Sequence, residues 1–223
     1  WTDTNEKYMN HVLLWTRYID DFFMSWDGSQ NEAEEFIQSL NNHELNLEFT
    51  SNISFKTIEF LDVTVEIINN DINTRLFRKE AAGNSILHAT SSHPRSLVNS
   101  IPYGELIRIK RSCSNNEMFE LAKKDSLRRF KARGYPSKAL KIAEYKVALR
   151  SRPSLLNTAH KTKGSNVVRM ITTFNSQSQA IRKIFCKHWT TLRNDKVLCK
   201  LLTLRPSITY RRAPTIGDKL TDS

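Results

Sequence analysis

The sequence predicts an α+β fold in which antiparallel hairpins and one helix precede a mainly helical module. Apolar residues alternate in the first 79 positions, which is typical of strands, and recur at helical spacing from about residue 93 onwards. The charge changes sign near the same place. Residues 1–72 hold 14 acidic against three basic residues, a net of −11, whereas the remainder holds 31 basic against nine acidic, a net of +22. This split predicts an acidic, metal-binding segment beside a surface that binds a polyanion.

Two short, aromatic-rich apolar runs, at 11–15 and 22–26, flank the tetrapeptide Tyr-Ile-Asp-Asp at 18–21. This pattern predicts a β-hairpin with two acids at its turn. Because the apolar runs are nearly continuous, we expect both faces of the hairpin to be covered.

Residues 31–40 carry apolar side chains at helical spacing, and Ser29 or Asn31 is placed to cap that helix. Alternation then predicts strands at 45–49 and 60–67, and the turn at 69–71 leads to a partner strand at 73–78. Residues 1–79 are thus predicted as strand, turn, strand, helix, strand and hairpin.

The second part of the chain is predicted to be helical and basic. Helices are expected from Pro94, at 103–113, at 116–133 and at 137–149, followed by a polar linker at 157–166, a strand at 167–174 and a helix at 178–189. Trp189 is expected in a core. No run of about 18 apolar residues is present, so no membrane-spanning helix and no membrane partner are expected.

Three cysteines, Cys113, Cys186 and Cys199, lie far apart and form no Cys-x-x-Cys pair. A structural zinc site needs closely spaced ligands, so we expect free thiols in a reducing compartment.

Adjacent acids at a hairpin turn repel each other, and a divalent cation relieves that repulsion. Carboxylate oxygens are hard ligands and suit Mg²⁺ (or Mn²⁺), which also coordinates substrate phosphates. Asp20 and Asp21 are therefore the candidate metal ligands of the chain.

The segment Arg17-Tyr18-Ile19-Asp20-Asp21-Phe22-Phe23 resembles motif C of reverse transcriptases. The resemblance implies that Asp20 is a catalytic metal ligand, that Asp21 is the weaker second acid, and that Tyr18 lies near the primer end. The predicted helix at 32–40 and the strand residues 47–50 together are similar to motif D, and residues 58–65 are similar to the motif E hairpin. A helical thumb is expected next.

Further segments narrow the resemblance to the reverse transcriptases of Penelope-like retroelements. They are Phe60-Leu61-Asp62, His93-Pro94-Arg95-Ser96-Leu97, residues 100–104, residues 129–136, Lys187-His188-Trp189 and Tyr210-Arg211-Arg212-Ala213-Pro214. This resemblance implies an RNA template and DNA primer duplex as partners, and a nuclear, non-secreted location.

The resemblance divides the chain into three regions. Residues 1–79 would be the C-terminal part of a polymerase palm, 80–156 a basic thumb or helix-turn-helix-like region, and 157–223 an extension that leads to a downstream region. Family polymerases also need a metal-binding Asp from motif A, far upstream of motif C. Only 19 residues precede Asp20, so we expect this chain to lack polymerase activity by itself.

Basic side chains of the helical region are the candidates for phosphate contacts, which position a duplex without specifying its sequence. They are Arg95, Arg108, Lys110, Arg111, Lys123, Lys124, Arg128, Arg129, Lys131 and Arg133. Two alternatives stay open: a helix-turn-helix nucleic-acid-binding protein built on residues 93–150 without catalysis, and a decayed retroelement fragment without function.

Overall fold

The computed structural model describes residues 6–42, 48–79, 83–157, 169–175, 177–202 and 206–211. The chain forms two compact units: residues 1–86 with 104–132, and residues 87–103 with 133–223. Antiparallel hairpins and a helical region confirm the predicted α+β class. The predicted three-region division refers to a polymerase architecture and stays a prediction.

The first unit begins with α1 (Glu6–Met9) and the predicted hairpin, β1 (Val12–Tyr18) and β2 (Asp21–Trp26), which pair antiparallel. The expectation that both faces are covered is wrong for β1, where six of seven residues are exposed and Leu13 is 66% exposed. Aromatic side chains of this hairpin pack against the next helix. Trp15 and Trp26, for example, both lie 5.8 Å from the Phe36 ring of the next helix.

That helix, α2 (Gln30–Asn41), is capped by Ser29, one of the two predicted caps. The Ser29 hydroxyl accepts a hydrogen bond from the Glu32 backbone N–H at 3.3 Å, and the Glu32 carboxylate accepts one from the Ser29 N–H at 3.0 Å. This reciprocal capping box satisfies two backbone donors that the helix leaves unpaired. Ala33, Phe36 and Leu40 form its buried face.

Replacing Ser29 with alanine is expected to raise the pKa of Glu32 towards 4.5. The side-chain hydrogen bond from Ser29, followed by its backbone N–H, lowers the pKa of this carboxylate below that ordinary value. Because the folded-state pKa is depressed, the Glu32 carboxylate contributes its full stabilisation of α2 above pH 4.5, and that contribution is lost as the pH falls through the lowered pKa.

An NMR titration of the Glu32 side chain measures this shift, and urea unfolding should show a loss of about 1 kcal/mol for the missing cap. The exposed Ser51→Ala is the matched control. An unchanged pKa of Glu32 in Ser29→Ala would contradict the prediction.

Three antiparallel strands follow in the order β3 (Thr57–Phe60), β4 (Val63–Ile68) and β5 (Asp71–Leu76). The single strand expected at 60–67 is wrong, because a two-residue turn at Leu61-Asp62 divides it, with Leu61 at φ 53°. The predicted turn before β5 is confirmed at Asn69 and Asn70, whose positive φ values suit a tight hairpin. Of the strand predicted at 45–49, residues 45–47 lie outside the described residues, and residues 48 and 49 are not in a strand.

The helical region consists of α3 (Arg95–Ser112), α4 (Asn116–Ala132), α5 (Ser137–Ala148) and the short α6 (Arg152–Leu156). Two helices were expected across 94–113, but α3 is continuous through Pro102. A proline in a helix interior lacks one N–H and crowds the preceding turn. Pro102 is fully buried and Leu106, one turn further on, is also excluded from solvent, so burial offsets that cost.

Each unit has its own set of buried side chains. Those of the first unit include Leu106, Ile109, Phe119 and Phe130, and those of the second include Leu140, Ala143, Val147 and Trp189. The expected burial of Trp189 is confirmed at 5% exposure.

The second unit also contains β6 (Arg169–Thr173), α7 (Ser178–Arg193), a 3₁₀ turn at Leu198–Lys200 and β7 (Ser207–Arg211). The strand predicted at 167–174 is confirmed at Arg169–Thr173, while residues 167 and 168 lie outside the described residues. The predicted helix is confirmed, and α7 extends four residues beyond the expected end at 189. The parallel pairing of β6 with β7 was not expected. Of the predicted linker at 157–166, only residue 157 is described. None of the described helices is long and apolar enough to cross a membrane.

Candidate functional site

The two acids of the motif C-like tetrapeptide lie at and beside the tip of the β1–β2 hairpin. Tyr18 pairs with Asp21 across the ladder, which leaves Ile19 and Asp20 as the connection. All four residues are exposed. Ile19 adopts φ 53°, which is rare for a β-branched residue and occurs where surrounding structure holds the backbone. Arg17 helps to hold it, because its Nε donates to the Ile19 carbonyl at 2.8 Å.

This tip presents the two carboxylates of Asp20 and Asp21 to solvent. Mg²⁺ takes six oxygen ligands at near-octahedral geometry, of which proteins often supply one or two carboxylates. Among the described residues, no group of three or more His, Cys, Asp or Glu side chains is placed to hold a metal ion. The roles of Asp20, Asp21 and Tyr18 stay predictions.

The candidate phosphate-binding residues lie on two helices and one turn. On α3 are Arg95, Arg108, Lys110 and Arg111; on α4 are Lys123, Lys124, Arg128, Arg129 and Lys131; Arg133 follows α4. Arg95 and Arg133 belong to the second unit, and the other eight belong to the first.

Arg108 differs from the rest because it is held by two carboxylates. Its guanidinium contacts Asp62 at 2.5 Å and Glu105 at 3.1 Å, and Glu105 also pairs with Arg78. The hydrogen bonds that Arg108 donates to the Glu105 carboxylate, more than the nearby charge of Asp62, raise the pKa of Arg108. Through the Asp62 contact, Arg108 links α3 to the turn between β3 and β4. A phosphate that binds Arg108 would have to compete with both carboxylates.

Two of the basic residues on α4 pair with an acid of the same helix. Lys123 pairs with Glu120, and Arg128 pairs with Asp125 at 2.7 Å, each three residues apart on the helix surface. The Arg128 side chain is 81% exposed, and an exposed pair of this kind contributes about 0–1 kcal/mol, so a phosphate can replace the carboxylate of Asp125. Lys124 and Lys131 are exposed on the same helix.

Four residues join the end of α4 at Ala132 to the start of α5 at Ser137. Gly134 lies among them with φ 76°, and a Cβ there would meet the His88 ring at 3.4 Å. This is the local pattern of a helix-turn-helix, in which a turn of three or four residues, often with a glycine, joins two helices. The turn is anchored, because the Ala89 N–H donates to the Arg133 carbonyl at 2.9 Å.

The lysines of α5 were not among the predicted site residues. Lys138, Lys141 and Lys146 are exposed, whereas Leu140 and Val147 are buried. The signal was present in the sequence, because all three lysines fall outside the apolar periodicity of this helix.

Comparison with known proteins agrees with this local pattern. No curated protein and no solved structure matches the chain significantly. Residues 85–143, which include α3, α4 and the first half of α5, match the family model described as the animal helix-turn-helix domain.

Proposed function

We propose that the chain binds duplex nucleic acid through its helix-turn-helix region. The observation that carries the proposal is the glycine-containing turn between α4 and α5, inside the segment that is similar to the animal helix-turn-helix domain. In proteins with this motif, the second helix lies in the major groove of DNA and flanking groups contact the backbone.

The charge distribution supports the same proposal. Residues 73–223 carry a net of +22, and a concentration of lysine and arginine attracts the phosphate backbone from solution. Lys124, Lys131 and their neighbours on α4 would contact phosphates and thereby position the duplex. A duplex-binding role also favours the nuclear location that the retroelement resemblance implies.

We expect affinity of the 223-residue chain for a duplex of mixed sequence to fall steeply with salt. Each neutralised phosphate contributes about −0.9 to the slope of log K against log salt, so six contacts would give a slope of about −5. Fluorescence anisotropy with a labelled duplex measures this slope.

The double variant Lys124→Ala/Lys131→Ala should make the slope shallower by about 2. Lys56→Ala removes an exposed lysine from the acidic segment and should leave the slope unchanged. A slope near zero for the unmodified chain would contradict the proposal.

A second candidate function rests on the hairpin tip. We infer from the motif C resemblance that the chain derives from an RNA-directed DNA polymerase of a Penelope-like retroelement. The exposed Asp20 and Asp21 beside the constrained Ile19 support this inference. Bound Mg²⁺ or Mn²⁺ would supply charge neutralisation at the reacting phosphates. Asp20 and Asp21 would hold the ion, Tyr18 would orient the primer end, and the basic helices would grip the RNA–DNA duplex.

A further inference from the structure

The second unit concentrates positive charge without the acids that would balance it. Residues 87–103 and 133–223 hold 20 basic and four acidic residues, a net of +16. Within this unit, residues 145–194 hold ten basic residues and no acid. Every ion pair between two described residues lies in the first unit. The second unit is therefore complementary to a polyanion.

Helix α7 lies at the end of this acid-free stretch and has two sides of different chemistry. Ser178 and Trp189 are buried, and Phe185 packs against Trp189 with the ring centroids 5.2 Å apart. Because successive residues are about 100° apart around a helix, another set of side chains lies on the opposite side. We define the α7 outer face as that set, which consists of Lys183, Lys187, Thr190 and Thr191, all exposed.

The two lysines of the α7 outer face lie one helical turn apart. At this spacing their Cβ atoms are about 5–6 Å apart, and two like charges so close destabilise a helix. None of the ion pairs between described residues involves either lysine. Neither lysine lies in the last turn, where the helix dipole favours a cation and where Arg193 is placed. An anion that contacts both ammonium groups would relieve their repulsion.

We propose that the α7 outer face is a second phosphate-binding surface, which contacts the backbone of duplex nucleic acid separately from the helix-turn-helix region. Lys183 and Lys187 would contact neighbouring phosphates of one strand, and the hydroxyls of Thr190 and Thr191 can donate to phosphate oxygens. The similarity to the animal helix-turn-helix domain ends at residue 143, well before α7 begins. The inference rests on the proposed duplex binding and extends it to a surface outside that segment.

The distribution of apolar residues in α7 favours a nucleic-acid backbone over a lipid surface. A helix that lies on a membrane inserts large apolar side chains, often aromatic, on the side opposite its charges. In α7 that side faces the protein interior, because Trp189 is only 5% exposed and contacts Phe185. The lysines and hydroxyls of the α7 outer face are instead the groups that proteins use to contact phosphates.

Fluorescence anisotropy of the 223-residue chain with a labelled duplex of mixed sequence, measured over a range of salt concentrations, tests the inference. Each phosphate contact that is lost removes about 0.9 from the slope of log K against log salt. Lys183→Ala/Lys187→Ala should therefore make the slope shallower by about 2. Combining this variant with Lys124→Ala/Lys131→Ala should make it shallower by about 4, because separate surfaces contribute additively.

Two control variants change α7 without removing its charge. Lys183→Arg/Lys187→Arg keeps both cations and should retain the slope of the unmodified chain. Gln179→Ala removes an exposed neutral side chain of the same helix and should also retain it. Thermal melting followed by circular dichroism verifies that each variant folds.

The outcomes separate this inference from the proposed function. Duplex binding with an unchanged slope in the folded Lys183→Ala/Lys187→Ala variant would overturn the inference and leave the helix-turn-helix proposal intact. A loss that the paired arginine variant shares would also overturn it, because charge would not be the cause. So would binding to phosphatidylserine vesicles that the alanine variant loses while its duplex binding is unchanged. Absence of binding to any duplex would contradict both proposals.

Discussion

Replacing Asp20 with alanine is expected to abolish Mg²⁺-dependent primer extension by a polymerase-active polypeptide that contains this hairpin. Asp20 lies at the exposed tip, and the motif C resemblance implies that it would be the principal metal ligand. Without its carboxylate, the metal ion would not be held, and the negative charge of the reacting phosphates would not be neutralised. Extension of a labelled primer on an RNA template measures the effect, and Asp21→Ala should be less severe.

The matched control is Asp71→Ala, because Asp71 is also exposed at the end of a two-residue hairpin turn. The 223-residue chain can be tested directly with Mn²⁺, which broadens NMR signals of nearby nuclei. Broadening at residues 18–22 should weaken in Asp20→Ala and persist in Asp71→Ala. Unchanged primer extension by Asp20→Ala would refute the catalytic assignment.

Replacing Phe130 with alanine is expected to destabilise the protein by about 3–5 kcal/mol. The Phe130 side chain is fully excluded from solvent, so truncation loses its transfer free energy and leaves a cavity where neighbours cannot fully collapse. Urea unfolding followed by circular dichroism measures the change. Because α4 carries five of the candidate phosphate-binding residues, duplex affinity should fall as this helix loosens.

Leu121→Ala is the control for this prediction, since Leu121 lies on the same helix but is 60% exposed. Its replacement should change the free energy of unfolding by no more than about 0.5 kcal/mol. A loss below about 1 kcal/mol for Phe130→Ala would mean that α4 does not depend on this buried contact.

Local patterns were enough to predict most elements near the candidate sites. The acid-tipped hairpin, the Ser29 cap and the turn at Asn69 and Asn70 each depend on residues close in sequence. The break after α4 was also predictable, because Gly134 supplies a positive φ that other residues rarely adopt. Errors arose where burial overrides local preference, as at Pro102 within α3.

The candidate site was only partly predictable for a related reason. Charge and helical spacing indicated that the region after residue 80 is basic, but they did not distinguish an arginine held by acids from an exposed lysine. Arg108 contacts Asp62, which lies 46 residues away in the sequence, and no local sequence pattern predicts such a pair. The exposed lysines of α5 were overlooked, although they fall outside the apolar periodicity of that helix.

By itself, the sequence determined the α+β class, the acidic hairpin, the basic helical region and the order of most elements, because periodicity and turn chemistry act over a few residues. Only the tertiary structure decided that β6 and β7 pair in parallel, that Arg108 is held by two carboxylates, and that Lys141 and Tyr145 face solvent together. These features depend on groups brought together from distant parts of the chain and on which surfaces they bury, and neither is encoded in local spacing.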